Sequence, residues 1–190
     1  MNKVLYFGSF NPVHYGHTGI ARYVSAMQEV DSVVIIPSPH NPFKDTSTLA
    51  DPKVRLEQVR RAFDGISPKI TVSDIEYHMP EPLYTIRTLH SIKEAYPDTN
   101  LILLIGGDNI ESIRRWYKGP EILAEFEVWV YPRHGYDGEN ACREISAMPG
   151  VRGIRFLAEA PILDISSTSI RTHAPQGNHP ITQLNSDRNS

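Results

Sequence analysis

Apolar runs and helical periods alternate along this chain, and the alternation predicts most of its elements. Val4-Leu5-Tyr6-Phe7 is an uninterrupted apolar run that reads as a buried strand. From Thr18 to about Glu29, Ile20, Ala21, Val24 and Met27 recur at helical spacing, and Val33 to Ile36 is a second strand, stopped by Pro37. Residues 37–50, with three prolines, read as a loop. Asp51-Pro52 has the form of an N-cap followed by proline at the first helical position, and Leu56, Val59 and Phe63 give that helix one apolar face. Ile70 to Val72 is a weaker strand. After an irregular stretch, His78 to Leu83, comes a helix in which Ile86, Leu89 and Tyr96 share a face. Leu101 to Ile105 and Val128 to Tyr131 are strongly apolar strands, 139–147 reads as a helix, and Ile154 to Leu157 as a last strand.

Strands without polar alternation, separated by helices, predict an α/β fold: a mostly parallel sheet with helices on both faces. Ligands of such sheets sit beyond the carboxyl ends of the strands, where the strand order reverses. The loops after the runs at 4–7 and 101–105 carry the chain's most reactive-looking residues, which is where that rule wants them.

Composition narrows the choice of partner. A chain of 190 residues is long enough to bury a full core, and a formal net charge of -3 argues against a general nucleic-acid binder. It does not exclude nucleotides, which need only a local positive cluster. A single cysteine, Cys142, excludes an internal disulfide framework and a cysteine-rich zinc site. No secretory signal and no membrane-length apolar run is visible, so the expected location is the cytoplasm, with no membrane partner. Whether the chain forms a homo-oligomer stays open.

The candidate chemistry begins at Gly8-Ser9-Phe10-Asn11-Pro12-Val13-His14-Tyr15-Gly16-His17. A strand ends at a glycine, a polar loop carries His14 and His17, and a helix opens. The first-turn N–H groups of a helix lack internal partners and favour anions, so imidazoles placed there suit a phosphate. A zinc site would need further ligands, and none is local. A second constellation is Ile165-Ser166-Ser167-Thr168-Ser169-Ile170-Arg171. It reads either as a capped surface helix or, beside the histidines, as hydroxyl donors and a guanidinium fork for a triphosphate. From Thr172 to Ser190 the chain is polar and aperiodic, a tail expected to be disordered, in which Pro175 stops the helix within a turn of Arg171.

Together these two segments resemble the nucleotidyltransferase superfamily with an (H/T)xGH motif and a C-terminal ISSTxxR motif, and within it the bacterial nicotinate-nucleotide adenylyltransferases. The similarity covers roughly residues 3–171, and residues 1–171 are taken as one nucleotidyltransferase domain. The resemblance implies a Rossmann-like, doubly wound sheet with ATP over the end of the first strand, at Gly8, Ser9 and Phe10. His14, His17 and Arg171 would be catalytic, and Ile165, Ser166, Ser167 and Thr168 would help grip the triphosphate. Gly106 and Asp108 would meet the adenosine. Magnesium would ride on the ATP phosphates, and the acceptor would be nicotinate mononucleotide.

The middle of the chain supplies the acceptor side of the resemblance. Pro39-His40-Asn41-Pro42-Phe43-Lys44 resembles a P-P-H-K loop, which puts His40 and Lys44 near substrate phosphates. Pro82-Leu83-Tyr84-Thr85-Ile86-Arg87-Thr88-Leu89 resembles the S-Y-T-x-x-T-L segment beside the nicotinate ring, with backbone N–H groups near Tyr84 and Thr85 for its carboxylate. Trp116 matches a tryptophan that stacks on the pyridine, and Arg133 a basic residue near the cleft. Asn11 stands where many relatives have aspartate, and Leu83 where they have serine. The alternatives are another small-molecule nucleotidyltransferase, acting on nicotinamide mononucleotide or phosphopantetheine, and a non-catalytic nucleotide sensor.

Overall fold

Parallel strands form the centre of the structure, a computed structural model that describes residues 1–39 and 50–162. They are β1 (Asn2–Gly8), β2 (Ser32–Pro37), β3 (Ile70–Val72), β4 (Asn100–Gly106), β5 (Glu127–Tyr131) and β6 (Ile154–Phe156). Their order in the sheet is β3-β2-β1-β4-β5-β6. The chain builds outward from β1 in one direction and, after β3, restarts at β4 on the other side of β1. Tyr6 of β1 therefore lies opposite Ile35 of β2 and Leu104 of β4. The crevice beyond the carboxyl ends of β1 and β4 is the switch point of the doubly wound fold.

The helices are α1 (Tyr15–Ser25), α2 (Pro52–Phe63), α3 (Thr85–Ala95), α4 (Gly107–Ile110), α5 (Gly119–Glu125) and α6 (Gly138–Ser146). Successive residues of a strand face opposite ways, so each central strand feeds two cores. On one face Val4, Tyr6, Val33, Ile35, Ile102 and Leu104 pack with Ile20 and Val24 of α1 and Val59 and Phe63 of α2. On the other Leu5, Ile36, Leu103, Ile105, Val128 and Val130 pack with apolar residues of α3, α4, α5 and α6. This two-sided burial is why the strand sequences lack polar alternation. Each fully buried Leu or Ile contributes roughly 1.5–3 kcal/mol, so the two cores dominate stability.

The sequence reading holds for all six strands and for the start of α2. There the Asp51 carboxylate accepts from the N–H groups of Lys53 and Val54 at 2.9 and 3.2 Å, ahead of Pro52. It needs correcting at α1, which opens at Tyr15 and closes at Ser25, leaving Met27 beyond its end. Tyr96 does not join the buried face of α3. It follows the last turn, half exposed, with the Lys3 ammonium 3.7 Å above its ring. α4 and α5 were not expected: Gly107 and Gly119-Pro120 look like turn signals, yet both glycines lie inside helix starts.

Candidate active site

The turn after β1 is shaped by a buried aromatic. Phe10 takes a positive φ of 45° and is 1% exposed, its ring packed against Tyr6, Phe63 and His17. An L-residue in that region costs on the order of 1 kcal/mol, which this packing offsets. Gly8 leaves room for the same ring: a Cβ there would come within 3.0 Å of it.

His14 precedes the first turn of α1 in an extended conformation. Its N–H donates to His17 Nδ1 at 3.2 Å, so neutral His17 carries its proton on Nε2. The two rings lie 3.7 Å apart, tilted by 31°. His14 is 8% exposed, and its Nδ1 is buried with no hydrogen-bond partner among the described residues. Burial, with a smaller push from the Arg133 guanidinium, lowers its pKa to about 4. An anion arriving here would meet the N-terminal end of α1 and two imidazoles.

Two recesses open at the switch point and share Tyr6 and Tyr131 as a wall. Their hydroxyls are 3.3 Å apart and buried, and burial raises both phenol pKa values. The smaller recess is lined by His14, Gly16, His17, Pro132, Arg133 and Pro161. The larger, about 290 Å³, runs past Gly8, Ser9, Gly106 and Asp108 to Tyr84, Thr85 and Trp116. Gly106 sits where the backbone must pass close to side chains, because a Cβ would come within 2.3 Å of Asp108 Oδ1. Asp108 lies 3.4 Å from Arg133 Nε, so carboxylate and guanidinium stand across the junction of the two recesses.

At the far end, Trp116 is half-buried and its Nε1–H donates to Ser112 Oγ at 3.2 Å, which fixes the indole plane. Tyr84, at the entry to α3, stacks on Tyr117 with centroids 4.2 Å apart, and the Arg87 guanidinium lies 5.5 Å from the Tyr84 ring. The start of α3, at Tyr84 and Thr85, thus borders an aromatic-walled recess.

Of the residues singled out from sequence, Gly8, Ser9, Tyr84, Thr85, Gly106, Asp108 and Trp116 line the larger recess, and His14, His17 and Arg133 the smaller. Phe10 supports His17 from below. Asn11 lines neither recess; it is 5% exposed and its Oδ1 accepts from the Ala50 N–H at 3.3 Å. His40, Lys44, Ile165, Ser166, Ser167, Thr168 and Arg171, with the polar tail, lie outside the described residues.

Two residues at the site escaped the sequence reading. Arg55 of α2 is fully buried, and its guanidinium donates to the carbonyls of Ala50, Ser9, Ser38 and Pro39. Glu76 lies in the short turn after β3, 3% exposed, and accepts from Ser38 Oγ at 2.5 Å and Thr88 Oγ1 at 2.8 Å. Neither carries a local motif: one is an arginine in a polar-looking helix, the other an acid in an irregular stretch. Among the described residues, no helix is long and apolar enough to cross a membrane.

Comparison with known proteins agrees with this geometry. Residues 5–173 match the cytidylyltransferase-like family. A probable nicotinate-nucleotide adenylyltransferase of Flavobacterium johnsoniae is 39% identical over 173 residues, covering 91% of this chain and 86% of that one. One of Bacteroides fragilis is 39% identical over 167 residues, covering 88% and 79%. In fold, the Plasmodium falciparum nicotinic acid mononucleotide adenylyltransferase complexed with NaAD superimposes with a TM-score of 0.79, over 94% of this chain and 86% of that one, at 20% identity. The chain belongs to the cytidylyltransferase-like family and, within it, to the nicotinate-nucleotide adenylyltransferases.

Proposed function

We propose that this protein transfers the adenylyl group of ATP to the phosphate of nicotinate mononucleotide, giving nicotinate adenine dinucleotide and pyrophosphate. The observation that carries the reading is the joining of two unlike ends in one cleft. Gly8, Ser9, Gly106 and Asp108 line one end, and Trp116, Tyr84 and Thr85 the other, in a chain 39% identical to a relative of that name.

The chemistry needs no protein nucleophile. A phosphate oxygen of the mononucleotide attacks the α-phosphorus of ATP in line. The new P–O bond forms as the bond to the β-phosphate oxygen breaks, and that oxygen leaves with the electron pair as pyrophosphate. Charge then grows on the α-phosphate oxygens and on the leaving group. His17 Nε2–H, His14 and the first N–H groups of α1 are the donors positioned to meet it. Arg133 adds a fixed positive charge, and Arg171 joins this set by its motif. Magnesium enters as part of the ATP substrate, where it neutralises phosphate charge and acts as a Lewis acid. Among the described residues no group of three or more His, Cys, Asp or Glu side chains could hold a metal ion.

On the acceptor side, Trp116 offers an indole face to an electron-poor pyridine ring. The start of α3 offers N–H groups and the positive end of a helix dipole to the ring carboxylate. Both favour nicotinate over a phosphopantetheine acceptor, which has no ring to stack. The test is product identity. Incubation with MgATP and nicotinate mononucleotide should yield nicotinate adenine dinucleotide and pyrophosphate in equal amounts. ATP breakdown to ADP and phosphate, or no dinucleotide at all, would overturn the assignment.

A further inference from the structure

Along the larger recess runs a line of buried and half-buried polar side chains that the proposed reaction does not itself use. Thr88, fully buried one turn into α3, donates to Glu76 Oε1 at 2.8 Å. Ser38, just beyond β2, donates to Glu76 Oε2 at 2.5 Å. The Ser38 carbonyl in turn accepts from Arg55 at 3.0 Å, and the same guanidinium nitrogen holds the Ser9 carbonyl at 2.6 Å. A continuous hydrogen-bonded path therefore joins the turn after β1, where ATP is assigned, to the first turns of α3, where the mononucleotide is assigned.

Burying a carboxyl is costly, and here burial raises the Glu76 pKa against the opposing pull of its two hydroxyl donors. An apolar side chain would fill the space more cheaply. A carboxylate has two oxygens, and here one takes a hydroxyl from β2's end and the other a hydroxyl from α3. Glu76 and Ser38 also line the recess itself, as do Tyr84 and Thr85. The side chain is therefore placed to set how far the α3 entrance stands from the ends of β1 and β2.

We propose that Glu76 is a positioning residue for the acceptor: through Thr88 it sets the first turn of α3, and with it the Tyr84 and Thr85 N–H groups, relative to the ATP-binding turn. The inference rests on the function proposed above. It makes Glu76 and Thr88 act as one unit, and it separates the two substrates. ATP meets the Ser9 side, which Arg55 still holds when Glu76 is changed.

The experiment is steady-state kinetics on the full chain, with wild type, Glu76→Gln, Thr88→Val, Thr88→Ser and the Glu76→Gln/Thr88→Val double variant. MgATP and nicotinate mononucleotide are each varied. Glu76→Gln and Thr88→Val should raise KM for the mononucleotide about tenfold while leaving KM for MgATP within about twofold. Thr88→Ser, which keeps the hydroxyl, should restore near-wild-type values, and the double variant should be no worse than either single one. Amide hydrogen exchange should speed up at 84–88 in Glu76→Gln and stay unchanged in α1. Equal rises in both KM values, additive effects, or unchanged exchange at 84–88 would overturn the positioning role. Wild type without dinucleotide product would instead overturn the function, and this inference with it, whereas an active wild type with unaltered variants sinks this inference alone.

Discussion

His14 sits at the meeting of stability and chemistry. Its pKa of about 4, held down by burial and then by Arg133, lies below the ordinary 6.5. The folded protein thus excludes a proton that the unfolded chain takes up between those values. Stability is full above pH 6.5 and falls as pH drops toward 4, by about 3 kcal/mol from this residue. Acid unfolding of His14→Gln should be shallower than wild type across that window; identical slopes would show that His14 is not the group responsible. His17 differs, with a defined donor direction set by its hydrogen bond from His14. His17→Ala should lower turnover by about 10²–10³-fold, the value of one donor in a preorganised anion site, while the melting temperature moves by only a few degrees. Near-normal turnover would remove His17 from the chemistry. Trp116→Ala should raise KM for the mononucleotide and spare KM for MgATP, which initial rates with each substrate varied would check.

Among the elements, α5 is the clearest case of tertiary contact deciding what local sequence leaves ambiguous. Gly119-Pro120 looks like a turn signal, yet Gly119 begins a helix, and only glycine fits at that position: a Cβ there would stand 2.0 Å from the Ile113 carbonyl oxygen. Gly119→Ala must push α5 away from the backbone that leads to Trp116. A loss of about 2 kcal/mol or more is expected in denaturant melts. Gly65→Ala is the control: its φ of +67° is strained for alanine, but no atom lies within 4 Å, so about 1 kcal/mol should be lost. Equal losses at the two sites would mean that backbone conformation, not the close approach, sets the cost. The start of α2 was legible for the opposite reason. Asp51 and Pro52 satisfy the helix end with their own atoms, so the signal is complete within the local sequence.

Across the whole molecule, the same division separates what sequence reveals from what it hides. The apolar runs show the central strands β1, β2, β4 and β5 because both faces of the sheet are buried there, and the doubly wound order is the one the family resemblance implies. The histidine turn, Gly106, Asp108, Tyr84, Thr85 and Trp116 were legible because each sits in a short motif, and the fold brings them to one crevice. Arg55 and Glu76 were not. Their meaning lies in carbonyls and hydroxyls from other elements, up to 46 residues away for Arg55 and Ser9 and 38 for Glu76 and Ser38. No local pattern encodes such partners. They organise the crevice, and the motif residues occupy it.

The most direct measurement is pyrophosphate release from MgATP with nicotinate mononucleotide, nicotinamide mononucleotide and phosphopantetheine tested side by side. The account predicts fast release with the nicotinate acceptor, release slower by at least about tenfold with the amide, and none above background with phosphopantetheine. Equal rates with the acid and the amide would contradict the anion-binding role given to the start of α3. Release with phosphopantetheine alone would contradict the function.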